Sequence, residues 1–227
     1  MTGRPNAAMI FAAGFGTRMG SLTADTPKPM LEVGGGPMVD IAIDFARQAG
    51  IGTIVANTHY LHDRIAPHLT EKGVTVSHEH PDILDTGGGL KMALPHLGRD
   101  PVVTMNPDAG WRGPNPVTVL MEAWRDDLDA LLLVVPRERA IGRQSPGDFE
   151  LSKGRLRRAG SHVYTGVQII RPELVERYPE DVFSLNAVWD RLIEKDLLAG
   201  HVYPGEWCDI GHPEGLGLAN ELVSGRV

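Results

Sequence analysis

Short apolar runs that stop at a glycine, asparagine or proline, alternating with stretches of helical period, constrain this chain most. Ala7 to Ala12 is such a run and ends in glycine, as a buried strand does. Met38 to Gln48, "MVDIAIDFARQ", then carries apolar residues at helical spacing, with Gly50 behind it as a C-cap. "GTIVANT" (52–58) and "GVTVSHE" (73–79) are further strands, and "HYLHDRIAPHL" between them is a short helix. A helix over Gly87 to Leu97, strand "PVVTMN" (101–106), a helix from Val117 to Arg125 and strand "ALLLVV" (130–135) extend the series. Strand and helix in turn predict an α/β fold, an open, mainly parallel mixed sheet with helices on both faces. After Pro136 the pattern changes. "DFELSKGRLRRAG" is a hairpin, "VYTGVQII" a strand, "FSLNAVWDRLIEKDLLAG" a helix and "HVYPGEWCDIG" a last strand. No linker-like stretch separates the two patterns, so 1–136 and 137–227 are expected to be halves of a single domain with a cleft between them.

Composition narrows the function. The chain has 227 residues and a formal charge of -7, with 22 Lys and Arg against 29 Asp and Glu. That length buries a sizeable core, and the acidic balance argues against a general nucleic-acid binder. Cys208 is the single cysteine, which excludes an internal disulfide and a zinc cluster of the cysteine type. The apolar run near the start spans only about seven residues, too short for a signal peptide or a membrane span. A cytoplasmic enzyme or binding protein, monomer or small homo-oligomer, is the expectation, with no nucleic-acid or membrane partner.

The loop after the first strand, "AAGFGTRMGSLTADTPKP", carries the chemistry. Glycines at the carboxyl end of a strand let backbone N–H groups approach a phosphate or a base. The spacing Gly14-x-Gly16-x-x-x-Gly20 is not the dinucleotide fingerprint, and no Gly-Lys-Ser/Thr ending makes it a P-loop. The charge comes instead from Arg18 and from Lys28, whose flanking prolines stiffen the backbone around it.

"AAGFGTRMGSLTADTPKPMLEVGGGPM" resembles the signature of the sugar-1-phosphate nucleotidyltransferases, Gly-x-Gly-Thr-Arg followed by Pro-Lys-Pro. Within them, the short chain and "DTGGG" are similar to the bacterial N-acetylmuramic acid 1-phosphate uridylyltransferases and to mannose-1-phosphate guanylyltransferase-like proteins. The resemblance runs from about Ala8 to about Leu222. It implies a Rossmann-like nucleotide-diphospho-sugar transferase fold without a C-terminal β-helix, and a nucleoside triphosphate and a sugar 1-phosphate as partners. It implies nucleotide contacts at Ala12, Ala13, Gly14, Gly16, Thr17, Arg18, Lys28, Asn57, Thr86, Gly87 and Gly88. Of these, Thr86, Gly87 and Gly88 in "DTGGGLKMAL" would read the base together with "AAG"; an asparagine ending a strand, like Asn57, is also ordinary turn chemistry.

Asp108 after "VVTMNP" and Asp209 in "GEWCDIG" match the positions at which these relatives hold Mg²⁺, though Pro107 stands where glycine is common. One or two carboxylates with phosphate oxygens and water suit that ion. On the sugar side the resemblance implies Asn106, Glu150, Thr165 and Gly166. Where larger relatives carry Glu-Lys-Pro this chain has "LRRAG", leaving Arg157 and Arg158 either as the cation for the sugar phosphate or as an exposed hairpin face. "HEH" (78–80) offers no third metal ligand and reads as surface or cleft edge, and the tryptophans read as core or rim. The implied reaction is in-line attack of a sugar phosphate oxygen on the α-phosphorus. Arg18, Lys28 and Asp108 are its catalytic groups, uridine the first choice of base and N-acetylmuramic acid 1-phosphate of acceptor. Guanylyl- or thymidylyltransfer to other sugar phosphates is the alternative, and a non-catalytic nucleotide sensor the alternative outside the class. A dehydrogenase is disfavoured by the glycine spacing.

Overall fold

In the computed structural model, which describes residues 3–225, the chain opens with β1 (Ala7–Phe11), a ribbon of β2 (Glu32–Val33) and β3 (Gly36–Pro37), and α1 (Met38–Gln48). β4 (Thr53–Thr58), α2 (His62–Glu71), β5 (Thr75–His78), α3 (Asp85–Leu97) and β6 (Val102–Met105) continue the alternation. Then come β7 (Ala109–Arg112), α4 (Pro116–Ala123) and β8 (Ala130–Pro136). The remaining chain forms β9 (Ala140–Ile141), β10 (Gly147–Ser152), β11 (Arg155–Gly160) and β12 (His162–Ile170). It ends in α5 (Glu173–Glu176), α6 (Leu185–Glu194), β13 (Leu198–Val202), β14 (Glu206–Asp209) and α7 (Pro213–Val223).

Nine strands make one sheet in the order β10-β11-β13-β8-β12-β6-β1-β4-β5. β1 pairs in parallel with β4 and β6, β4 with β5, and β13 with β8. β12 runs antiparallel between β6 and β8. The strand after residue 160 therefore fills a gap left by the first half, and the sheet does not divide at Pro136. The fold is the expected mixed, open α/β sheet. Among the described residues no helix is long and apolar enough to cross a membrane.

Alternation along β1 explains its unbroken apolar run. Ala8 and Ile10 pack with Val39 and Ile43 of α1 and Val117 and Leu120 of α4. Ala7 and Met9 pack on the other face with Leu90 and Ala93 of α3 and Val188 and Trp189 of α6. A strand covered on both faces needs apolar residues at every position, and each large side chain so buried stabilises by about 1.5–3 kcal/mol.

Two expectations about the second half are corrected. The helix over "FSLNAVWDRLIEKDLLAG" stops at Glu194: Asp196 takes a left-handed conformation (φ 56°), and Leu198 starts strand β13. "HVYPGEWCDIG" is two strands, broken at Pro204 and Gly205, with β13 in the large sheet and β14 in a small sheet beside β7 and β9. That break matters, because β14 can then leave the large sheet and run antiparallel to β7.

Candidate active site

The loop leaving β1 bends at the carboxyl edge of the sheet. Ala12 donates its N–H to Asn57 Oδ1 at the end of β4 (2.8 Å), Gly16 turns the chain in the left-handed region (φ 65°), and a short helical turn spans Thr17–Thr23. A Cβ at Gly16 would press on Lys28 Cβ and Thr23 at 3.0 Å, so glycine suits this position both for its φ and for space. The loop overhangs a cavity of about 420 Å³ lined by Ala13, Gly14, Gly16, Thr17, Arg18, Lys28, Asn57, Glu79, Asp85, Thr86, Asn106, Asp108 and Gly211, among others.

The small sheet brings two distant carboxylates together. Asp209 is the last residue of β14 and sits opposite Ala109 of β7, and the Ile210 N–H bonds to the Asp108 carbonyl at 3.1 Å. Both carboxylates face cations: Asp108 Oδ2 is 2.5 Å from Lys28 Nζ, and Asp209 Oδ2 is 3.5 Å from Arg143 Nη1. Arg18 comes within reach of the same place, since a Cβ on Gly211 would lie 3.2 Å from Arg18 Nη1 and from Asp209 Oδ1. Three guanidinium or ammonium groups thus surround two carboxylates. The oxygen donors suit a hard divalent cation whose remaining positions phosphate and water would fill. Among the described residues no group of three or more His, Cys, Asp or Glu could hold a metal by itself.

A buried carboxylate escaped the sequence reading. Glu79, in "HEH", is fully buried and bonds Asn57 Nδ2 through Oε1 (2.6 Å) and the Leu84 N–H through Oε2 (2.7 Å). Asn57 is therefore held with its oxygen toward the loop and its amide nitrogen toward Glu79. The cue was present: alternation in "SHEH" turns Ser77 and Glu79 inward and leaves His78 and His80 exposed, so "HEH" is surface only at its histidines. His62 stacks on His78 at 3.7 Å outside this site. Desolvation and the neighbouring His62 hold the His78 pKa below the usual histidine value.

A second cavity, about 360 Å³, adjoins the first through Phe11, Asp85, Thr86 and Asn106. Arg143, Asp148, Arg158, Tyr164, Ser184, Asn186 and Trp189 also line it. Trp189 is fixed by Nε1 donating to Gln168 Oε1 (3.0 Å), and Gln168 in turn donates to Thr104 Oγ1 (3.1 Å). Arg158 lies over Phe149 and Trp189, whereas Arg157, on the opposite face of β11, is exposed beside Asp196. Arg143 and Asp148, which no sequence signal singled out, arrive from the β9–β10 connection and β10.

Several residues expected at the site line neither cavity. Gly87 and Gly88 lie in the first turn of α3, which begins two residues before the expected start, and both N–H groups bond the Phe183 carbonyl (2.9 and 3.1 Å). A Cβ on either would run into Phe183 or the Asp181 carbonyl. These glycines serve close packing and line neither cavity. Ala12 is buried with its N–H committed to Asn57. Thr165 is buried with its hydroxyl on the Leu133 carbonyl, and Gly166 backs Asn106, whose N–H bonds the Gly166 carbonyl at 2.8 Å. Glu150 is exposed on β10 and accepts from Ser161.

The MobA-like NTP transferase domain matches residues 8–201. The N-acetylmuramate alpha-1-phosphate uridylyltransferase of Caulobacter vibrioides is 35% identical over 94% of this chain and 95% of its own. That of Neisseria meningitidis serogroup B is 31% identical over 90% and 92%. Among solved structures, HddC from Yersinia pseudotuberculosis complexed with GMP-PN superposes with a TM-score of 0.77 at 23% identity, covering 95% of this chain and 98% of that one. That likeness establishes the fold, an open Rossmann-like mixed sheet.

Proposed function

The chain belongs to the MobA-like NTP transferase family and is a sugar-1-phosphate nucleotidyltransferase, and from that premise we propose that it joins UTP to N-acetylmuramate 1-phosphate, releasing pyrophosphate. The observation that carries this reading is the convergence of Lys28, Asp108, Asp209 and Arg18 beside the first cavity, which a second cavity adjoins. Two adjoining cavities suit two substrates. Two uridylyltransferase relatives that cover almost the whole chain support the choice of base and sugar.

In this mechanism the triphosphate lies under the loop, in the part built mainly by residues 1–136, and the sugar 1-phosphate enters from the cavity lined largely by residues 137–227. An oxygen of the sugar phosphate attacks the α-phosphorus, the bond to the bridging oxygen breaks in line, and pyrophosphate leaves. The nucleophile is already anionic, so no general base is needed, and the work is positioning and charge neutralisation. Arg18 steadies the β- and γ-phosphates with its planar fork; Lys28 acts as a point charge at the reacting phosphates. Asp108 and Asp209 would hold Mg²⁺. When bound, that ion neutralises phosphate charge next to two carboxylates that would otherwise repel it. Asn57, oriented by Glu79, and the backbone at Ala13 and Gly14 hold the nucleoside.

The test is pyrophosphate release over four nucleoside triphosphates and several sugar 1-phosphates, with Mg²⁺ and with EDTA. UTP with N-acetylmuramate 1-phosphate should give the highest kcat/KM, chelator should abolish turnover, and Asp108→Asn and Asp209→Asn should each lower it more than about tenfold. Full turnover in chelator removes the metal from the mechanism; a higher kcat/KM for another pair replaces the substrates.

A further inference from the structure

The second cavity holds two arginines where a neutral hexose would need only hydroxyl partners. We propose that Arg143 receives the 1-phosphate of the acceptor and Arg158 a carboxylate on its sugar ring, so that the acceptor is an acidic hexose 1-phosphate. This rests on reading the cavity as the acceptor site of a sugar-1-phosphate nucleotidyltransferase.

Arg143 stands at the reacting end. Its Nη1 is 3.5 Å from Asp209, its Nη2 is 2.7 Å from Asp148 Oδ1, and its Nε is buried with no hydrogen-bond acceptor. Asp148 is itself anchored by the Tyr164 N–H at 2.9 Å. The guanidinium is thus tethered on one side and carries an unsatisfied buried donor on another. A small turn of the side chain toward a bound phosphate oxygen would satisfy it. Cation binding at Asp209 would also free the Nη1 edge for the same phosphate.

Arg158 stands on the α6 side. Its guanidinium carbon lies 4.9 Å from the Phe149 ring centroid and 5.7 Å from that of Trp189. Nε donates to Asp190 Oδ1 (2.7 Å) and Nη2 to the Asn186 carbonyl (3.1 Å). These contacts fix the plane of the group, and Nη1 meets no protein acceptor among the described residues. A planar cation held on an aromatic shelf with one edge free is suited to a planar carboxylate. Ser184 and Asn186, beside it, are sufficient for hydroxyls. Of the carboxylates lining the cavity, Asp148 is occupied by Arg143 and the Tyr164 N–H, and Asp85 by Thr86.

The experiment uses acceptor pairs that differ in a carboxylate: N-acetylmuramate 1-phosphate against N-acetylglucosamine 1-phosphate, and glucuronate 1-phosphate against glucose 1-phosphate. For each, kcat/KM is measured at saturating UTP in wild type, Arg158→Gln and Arg143→Gln, with thermal melts to verify folding. Arg158→Gln should lower the ratio of kcat/KM for the acidic to the neutral acceptor by about 10- to 150-fold, through acceptor KM and with UTP KM unmoved. Arg143→Gln should lower kcat/KM for both members of a pair alike. A ratio unchanged in Arg158→Gln, or a wild type that prefers the neutral member of both pairs, overturns the inference. A preference for glucuronate 1-phosphate that depends on Arg158 upholds it while overturning the acceptor proposed above.

Discussion

Lys28 and Asp108 lie 80 positions apart, yet their side chains meet in a 2.5 Å ion pair at the edge of the larger cavity. The lysine is nearly buried, 11% exposed, and the aspartate is 30% exposed, so the pair is only partly screened by water. In the proposed mechanism substrate and cation would exchange its partners: Asp108 would gain the metal and Lys28 phosphate. The pair keeps both charges in place until then.

Removing either cation therefore tests more than binding. Lys28→Met should lower kcat by about thirty- to a thousandfold, the worth of one charge contact in a transition state, and raise the acceptor KM. Arg18→Ala should slow synthesis and pyrophosphorolysis together, because the proposed mechanism places it at the pyrophosphate end. Steady-state kinetics with each substrate varied in turn separates the two. Near-wild-type rates in either variant would reduce that residue to a surface cation.

In the proposed mechanism Glu79 acts by holding Asn57. Glu79→Leu leaves the Asn57 amide and the Leu84 N–H without their acceptor. The expected result is a stability loss of about 1–3 kcal/mol in urea titration and a higher UTP KM with the acceptor KM unchanged. If both KM values rise equally, Glu79 supports the fold and not the base site.

The loop after β1 stands out in the sequence because its glycines and cations are contiguous in the chain, and "GFGTR" with "TPKP" carries the family resemblance. The carboxylate pair was legible only through resemblance. Nothing near Asp108 or Asp209 tells that β7 and β14 pair, which is a property of strands far apart. Arg143 and Glu79 were missed for related reasons. One lies on a connection whose course depends on the finished fold, and the other hides between two histidines that do face outward. The triple glycine is ambiguous because a glycine run signals an exposed backbone and a tight packing contact equally. Phe183 packs against it here.

Gly88 makes that distinction measurable. A Cβ there would collide with the Asp181 carbonyl and press on Leu84 Cβ at 3.0 Å. Gly88→Val should lower stability by about 1–3 kcal/mol, as overpacking does, and be visible as a reduced melting temperature. An unchanged melting temperature with a raised UTP KM would return this glycine to the base site.

Burial, with the adjacent Asp209 adding to it, pushes the Cys208 thiol from 9.0 up to about 12. In the folded protein the thiol stays protonated where the unfolded chain has begun to lose its proton. This contribution to stability is complete below pH 9 and is lost as pH rises from there toward about 12. Urea midpoints across that range should fall more steeply for wild type than for Cys208→Ala. Parallel curves would mean the thiol opens to solvent before the chain unfolds.

The position of β12 between β6 and β8 has a consequence for how the molecule comes into being. While the chain is being synthesised, those two strands have no partner on their facing edges until residues 162–170 emerge, and Asp209 follows later still. Arg18 and Lys28 exist long before that moment. On the proposed mechanism a nascent chain would own the groups that grip a triphosphate well before the partner carboxylate that lets it react, and transfer would begin only when the sheet has closed.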